Sequence, residues 1–430
     1  MTIRDIDRRL LQLFICTMPF LSALGVAVWL PLPTLIAVIG ALFALLTGRL
    51  FQFVYFEKDD VLLAIVLLLG ILAIVVNSDY AGEKNLNYTV WFAGTFALLI
   101  VWCRAWLRSS RITLDQIGAA ATIALIIASA AVCFEFVLAN TTGRYLSDII
   151  PYSTPSEDLA RATVLLFLSR PRGLAAEPGF SAMVFEALGP LAWIYLRNNR
   201  TLLVAVTAVV LPGFLLCFSA GGLTSLFLAG LIVMVMRRGI GRFGVIALVV
   251  VAILVVVISV DSDAQWIYDQ VIGRKIDDLA GTGESTVDAV SGRSIVYQSV
   301  SAILTRYPLG IGWGMVAQMY YTGSHIPGIP EPVTKGMVSL YFEVLVSAGV
   351  AGVLTFALYL LRKIIRLARR TDPEANAVLF ALIAVSIHHA VVLEFWYPLL
   401  WFLICTADYL TASTAVEVPD DFPVALQSAE

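Results

Sequence analysis

Charge is what this chain has least of. Asp, Glu, Lys and Arg make up 14% of its 430 residues against 60% hydrophobic, which excludes an ordinary water-soluble domain, where about a quarter of residues are charged. A basic surplus is also missing. With 28 Lys and Arg against 31 Asp and Glu the net charge is −3, so nothing favours nucleic acid as a partner. The five cysteines, Cys16, Cys103, Cys133, Cys217 and Cys405, all lie inside apolar runs, and no CxxC pair or Cys/His spacing occurs, so neither a disulfide framework nor a zinc site is expected. Histidine is rarer still, with three. His388 and His389 are adjacent and cannot put both rings on one helical face, and Glu394 is off the i+3/i+4 spacing, so a metal site is not expected there and a helix–helix hydrogen bond suffices.

What the chain has in abundance is long apolar runs, with a mean hydropathy of +0.88. A hydrocarbon core roughly 30 Å thick takes about 20 apolar residues per helix. About twelve runs approach that length: 10–30, 34–48, 61–77, 88–103, 116–139, 180–196, 201–218, 222–236, 243–260, 337–361, 376–394 and 396–412. The expected fold is all-α, a polytopic transmembrane helical bundle of about twelve spans forming a single membrane domain over 1–430. The first run lacks a small-residue cleavage site and reads as an uncleaved span.

Orientation follows from Lys and Arg counted loop by loop, because short loops rich in them stay cytoplasmic. With the N-terminus inside, the short inner segments hold Arg4, Arg8, Arg9, Arg49, Lys58, Arg104, Arg108, Arg111, Arg197, Arg200 and the basic residues of 237–242 and 362–370, whereas the short outer segments hold Lys84 alone. No Lys or Arg then falls in a span, both termini are cytoplasmic, and two long loops, 140–179 and 261–336, face outward. The sixth and seventh spans are joined by Arg197-Asn-Asn-Arg200 alone, unlike a carrier built of two halves with a long central linker.

Ionisable side chains within spans cost about 2.5–3.5 kcal/mol each on insertion scales and mark candidate functional positions. Glu135, Glu186, Glu343, His388, His389 and Glu394 fall in the outer part of their spans, and only Asp408 lies toward the inner end, so a polar cavity open to the outer face is expected. The first long loop carries Arg144, Arg161 and then Ser169-Arg-Pro-Arg-Gly-Leu-Ala-Ala-Glu-Pro-Gly-Phe180, which puts Arg170, Arg172 and Glu177 at headgroup level. Guanidinium groups hold phosphate oxygens through paired hydrogen bonds, and two or three neutralise a diphosphate without a metal. In the second loop, Arg293 and Tyr297 share one face of a short amphipathic helix ended by Pro308, followed by Gly310, Gly312 and Gly314. Those glycines are no dinucleotide fingerprint, since no strand precedes them. His325 is the only histidine outside a span.

These residues resemble the O-antigen polymerase and O-antigen ligase superfamily of bacterial inner-membrane glycosyltransferases, the Wzy-like and WaaL-like proteins. The matching elements are Arg172-Gly173 with Glu177-Pro178 before a span, Ser219-Ala-Gly-Gly-Leu-Thr-Ser-Leu226, the Gly292-Arg293 to Pro308-Leu-Gly-Ile-Gly312 block, and Glu343 to Gly349 and Gly352. The resemblance implies a GT-C-like membrane enzyme that transfers glycans from undecaprenyl diphosphate at the outer face of the inner membrane, without metal or other cofactor. Its partners would be the lipid-linked oligosaccharide, membrane lipids and a chain-length regulator. Arg172 and Arg293 then stabilise the departing diphosphate, and Glu177 takes the acceptor proton, with His325 or Glu343 as substitutes. Substrate contacts are expected from Arg161, Arg170, Tyr297, Lys335, Tyr341 and Glu343, and sugar stacking is open to Trp313, Tyr320 and Tyr321. Ligases of this kind carry a His-Asn pair where this chain has Val338 and Ser339, which favours an exopolysaccharide or O-antigen polymerase over a ligase. A transporter of lipid-linked sugars, from another class, would need ionisable residues through the whole depth, and the inner half offers only Asp408.

Overall fold

The computed structural model of the chain describes residues 2–49, 53–153, 164–165, 168–169, 171–238, 299–323, 337 and 339–412. Helix α1 (Ile3–Cys16) opens on a capping box, in which Thr2 Oγ1 accepts from the Asp5 amide at 3.2 Å and the Asp5 carboxylate accepts from the Thr2 amide at 3.0 Å. α2 (Leu32–Leu46) and α3 (Asp60–Val76) follow, and α4 (Glu83–Thr95) runs through a π-helical stretch, Phe96–Trp102, into α5 (Cys103–Ser110). α6 (Leu114–Thr142) begins on a second capping box, Thr113 with Gln116, and stops at Gly143, whose φ of 69° ends the helix. A short antiparallel hairpin pairs β1 (Val164–Leu165) with β2 (Leu168–Ser169). Then come α7 (Pro178–Leu196), α8 (Arg200–Leu216), α9 (Ala220–Arg238), α10 (Met315–Thr322), α11 (Leu340–Ala368), α12 (Pro373–His388) and α13 (Pro398–Ala412).

α6 and α7 pack along each other at the centre, with α8 and α12 beside them and α9 against α12, while α3 lies along α11. Small residues set these approaches, as they do where lipid removes the hydrophobic drive between helices. A Cβ on Gly118 of α6 would come within 2.8 Å of the Leu191 carbonyl oxygen of α7, and Ser129 of α6 donates to the Val209 carbonyl of α8 at 2.6 Å. The flanks of the bundle are apolar and exposed: Leu42 and Leu46 on α2, Leu68 and Leu72 on α3, Phe134 and Val137 on α6, Leu354 on α11. Faces of this kind around a whole bundle belong against lipid.

Among the described residues, four helices are long and apolar enough to cross a membrane, Glu83–Ser110, Leu114–Thr142, Pro178–Leu196 and Leu340–Ala368, and six further apolar helices are shorter. Together they match ten of the twelve expected runs. The run 243–260 lies outside the described residues. The first, 10–30, needs correction, because α1 starts seven residues earlier and ends at Cys16. Pro19, Gly25 and Pro31 break the apolar stretch after it, and the Ser22 and Ala23 amides donate to the Leu174 carbonyl at 3.1 and 3.0 Å instead of to a helix of their own.

The turns expected inside share one end of the bundle. Arg49 pairs with Asp7, Arg197 pairs with Glu374, and Arg237 donates to the Ala368 carbonyl at 2.7 Å. At this basic end two helices continue past the expected runs and carry cations that are buried. Arg104 of α5 and Lys363 of α11 have fully buried side chains. Arg104 grips Asp60 through two bonds of 2.7 and 2.9 Å and reaches Asp408 at 2.9 Å, while Lys363 bonds Asp408 at 2.7 Å and Glu57 at 2.9 Å. Arg366 pairs with Asp59 at 2.6 Å and Arg362 with the same carboxylate at 3.1 Å. Four cations thus meet Glu57, Asp59, Asp60 and Asp408 in a neutral network joining α3, α5, α11 and α13. A hydropathy window halts at the first charge, but a helix continues wherever its charges are neutralised pairwise. Burial raises the Glu57 carboxyl, and Lys363, Arg104 and Arg366 more than offset it, holding the group below the usual carboxylate range. Breaking a buried pair from one side strands a charge, at a cost of about 3–5 kcal/mol. Lys363→Met is therefore expected to lower the melting temperature steeply in detergent, and adding Asp408→Asn should recover part of the loss; additive losses would contradict direct coupling.

Candidate functional site

At the end of the bundle opposite the basic network, the chain enters α7 through Pro171-Arg172-Gly173-Leu-Ala-Ala-Glu177. Glu135 of α6 organises this turn: its Oε2 accepts from the Arg172 and Gly173 amides at 2.7 and 2.6 Å, and its Oε1 from the Leu146 amide at 3.3 Å. Gly173 sits at φ 58°, and a Cβ there would come within 2.7 Å of the Val132 side chain, so the residue after the arginine has to be glycine. Tyr152 closes the turn by donating to the Gly173 carbonyl, and Ser181 of α7 donates to the Arg172 carbonyl.

Arg172 itself is packed within the protein. It is 3% exposed, its guanidinium lying 4.5 Å over the Tyr152 ring, with Nη1 donating to the Ala176 carbonyl at 3.3 Å. Its Nε and Nη2 meet no partner among the described residues. Backbone bonds to Glu135 pull the whole turn inward, and the aromatic face takes the place of water over the cation.

Glu177 is the N-cap of α7, exposed, and its negative charge is felt by Glu394 and Tyr397 across the site. Below it, Glu186 of α7 and His388 of α12 face each other, with Oε1 and Nδ1 2.7 Å apart. The expected helix–helix hydrogen bond of the histidine pair is this one. His389 turns away, its Nδ1 3.3 Å from the Val392 carbonyl oxygen. Glu394 lies in the non-helical turn between α12 and α13 and is partly exposed. Burial first, and the charge of Glu177 second, push its carboxyl up to about 8. Between its ordinary value of 4.5 and about 8 the folded chain holds a proton here that the unfolded chain has lost. The stability this contributes is complete below that window and gone above it. Glu394→Gln is therefore expected to leave the melting temperature unchanged near pH 4 and to raise it by several degrees near pH 9. Equal shifts at both pH values would contradict the assignment.

The glycine-rich block after Pro308 has a structural role that spacing alone did not reveal. Helix α11 breaks at Gly349 (φ 70°, ψ −171°), leaving the Val346 and Ser347 carbonyls without their helical donors. The Ile311 and Gly312 amides supply them at 2.8 and 3.1 Å, and the freed Val350 amide donates to the Pro308 carbonyl at 3.3 Å. Gly310 (φ 87°) and Gly312 (φ 103°) permit this approach, since a Cβ on Gly310 would meet the Ser347 carbonyl oxygen at 2.6 Å. Glu343 is 2% exposed beneath the same loop, its Oε1 accepting from Ser347 Oγ at 3.0 Å and from the Gly314 amide at 3.5 Å. Trp313, a candidate for sugar stacking, is fully buried: it stacks on Phe92 with ring centroids 4.4 Å apart and donates to the Leu67 carbonyl at 3.2 Å. That expectation is corrected, because Gly70 opens a slot on α3 that the indole fills. Tyr320 and Tyr321 remain 38% and 53% exposed. Tyr341 is partly buried and donates to the Ser386 carbonyl at 2.7 Å, and Ser339 caps α11, its Oγ accepting from the Tyr341 amide at 3.2 Å.

Arg172, Glu177, Glu186, His388 and Glu394 thus gather around the start of α7, and Tyr341 adjoins them through Ser386. Glu135, Glu186 and Glu343 each serve a separate junction at the same end of the bundle. Arg161, Arg170, Arg293, Tyr297, His325 and Lys335 lie outside the described residues, as do Glu157, Asp158 and Val338. Glu135 and Glu186 were visible in the sequence as carboxylates within apolar runs, but nothing there named their partners, which are 37 and 202 residues away. No family model matches the chain, and no curated protein matches it.

Proposed function

We propose that the chain is a bacterial inner-membrane polysaccharide polymerase. In this reading it transfers an undecaprenyl-diphosphate-linked glycan, O-antigen or exopolysaccharide, onto a lipid-linked repeat unit at the outer face, without a metal. The basic end is cytoplasmic with both termini, and about twelve spans form a GT-C-like bundle. Arg172 carries the reading. Two nitrogens of this buried guanidinium are unpaired among the described residues, which costs several kcal/mol if nothing completes them, and a ligand would do so. A diphosphate oxygen pair does so in the bidentate geometry that arginine favours. The carboxylates and histidine around the start of α7 supply acid–base groups within the same layer. Arg293 and His325 are assigned on the sequence resemblance alone.

The deciding experiment incubates the purified protein with a lipid-linked repeat unit in vesicles and resolves the products by size. A ladder of longer chains is expected. Glycan transfer to lipid A core instead would make the chain a ligase, and an unextended substrate would overturn enzymatic transfer altogether. A second reading, carriage of lipid-linked sugars across the bilayer, gains from the buried network at the basic end, which removes the objection that the inner half lacks ionisable groups. Movement of the substrate between leaflets without chain growth would select it. The orientation has its own test: Ala160→Cys and Ser285→Cys should react with an impermeant thiol reagent added outside, and Ile240→Cys only after the membrane is opened. The reverse pattern would remove the outer-face assignment.

A further inference from the structure

Resting on the transferase reading, we propose that His388 accepts the proton of the attacking sugar hydroxyl and that Glu186 is its positioning residue. The two side chains are 1% and 0% exposed and come from facing helices, α12 and α7. The 2.7 Å contact between Glu186 Oε1 and His388 Nδ1 fixes the ring, and with the shared proton on Nδ1 the lone pair stands on Nε2. A contact that served only to tie two helices would be satisfied at that point. At the opposite edge the ring adjoins two glycines. A Cβ on Gly179 would lie 3.7 Å from Nε2 and one on Gly221 3.6 Å from it, both at ordinary contact distance, so a side chain longer than alanine at either position would crowd that edge of the ring.

Both glycines are partly exposed and both stand in the first turn of a helix, α7 and α9, beside the exposed Glu177. Gly222 makes the matching room for the carboxylate, since a Cβ there would come within 3.0 Å of Glu186 Oε1. Two segments singled out in the sequence, Glu177-Pro-Gly179 and Ser219-Ala-Gly-Gly222, therefore meet on one imidazole that the sequence left to a helix–helix contact. In addition, Glu186 Oε2 has no partner among the described residues, so the carboxylate keeps the capacity to stabilise an imidazolium. The chemistry is balanced. The hydroxyl oxygen bonds the anomeric carbon as the bond from that carbon to the diphosphate oxygen breaks, its electron pair leaving on the diphosphate beside Arg172. The hydroxyl proton moves to Nε2 and is then released to water. Glu177 is left to orient the acceptor sugar.

The test uses the full-length protein in vesicles with the lipid-linked repeat unit. His388→Gln is expected to lower kcat by about 100-fold or more with KM changed little, and Glu186→Gln to lower kcat by about 10-fold. His388→Ala should regain activity when imidazole is added, a rescue that a structural role would not give. Glu177→Gln should cost less than His388→Gln. A kcat for His388→Gln within twofold of wild type overturns the proposal. Should the His388 variants fail to fold, an unchanged kcat for Glu186→Gln overturns it and a fall in kcat at constant KM supports it. If the wild-type protein itself builds no ladder, the transferase reading fails, and this inference with it.

Discussion

Arg172→Lys is expected to abolish chain extension while the protein stays folded. Lysine keeps the charge and the apolar stem but presents one ammonium in place of the planar fork, so it cannot offer Nε and Nη2 together to a diphosphate. Loss of a preorganised donor that acts on developing charge costs about 10²–10³ in turnover. The fold should tolerate the change, because the turn around residue 172 is anchored through its backbone. Glu135 holds the Arg172 and Gly173 amides, and Ser181 holds the Arg172 carbonyl. Arg172→Ala removes the stacking on Tyr152 as well and should melt slightly lower, by the equivalent of about 0.5–2 kcal/mol. Normal ladders from both variants, each confirmed folded by its melting curve, would remove Arg172 from the site.

Gly349→Ala should be the most damaging single methyl group in the chain. The backbone there has φ 70° and ψ −171°, a region essentially reserved for glycine, where other residues pay about 1–3 kcal/mol in strain. A Cβ would also land on the Pro308 carbonyl oxygen and within 2.6 Å of the Leu309 carbonyl carbon, both backbone atoms that cannot rotate away. Relieving the clash means pulling the 308–312 segment off α11, which returns the Val346 and Ser347 carbonyls and the Val350 amide to an unpaired state in a buried place. The combined loss is expected to exceed about 4 kcal/mol and to show as failed membrane assembly or a collapse of the melting temperature. Gly143→Ala offers a comparison, since its φ of 69° is similar but no atom lies within 4 Å of its Cβ position. Equal effects of the two substitutions would assign the whole cost to backbone strain and none to the docked loop.

The helices were readable because their signal is local. Ten of twelve apolar runs coincide with helices, which extend past the run into charged residues where α4–α5 reaches Ser110 and α11 reaches Ala368, and stop short of it where α12 ends at His388 and not at 394. The failure at 10–30 has the same origin seen from the other side. Apolar composition at 17–30 persists after α1 has ended, and hydropathy does not distinguish a helix from a non-helical turn punctuated by Pro19 and Gly25. Capping signals behaved as local chemistry should: Thr2 with Asp5, Thr113 with Gln116, and Asp372 before Pro373 each start a helix where they stand.

The site divides along the same line. Residue types and their place along the chain came from sequence alone: carboxylates and a histidine pair near one end of the apolar runs, and arginines at the entry to α7. Their partners did not, because each depends on which helices become neighbours. Glu186 meets His388 because α7 packs on α12, Arg104 meets Asp408 because α5 reaches α13, and Trp313 fills a slot on α3 left by Gly70. A charge in a sequence has a cost of burial but no address. Tertiary packing assigned the address, stacking Arg172 on Tyr152 within the fold and turning a motif of alternating glycines into the repair of a broken helix. Composition could therefore place this protein in a membrane, whereas only contacts between residues far apart in the chain decided which of its polar groups are satisfied by which others.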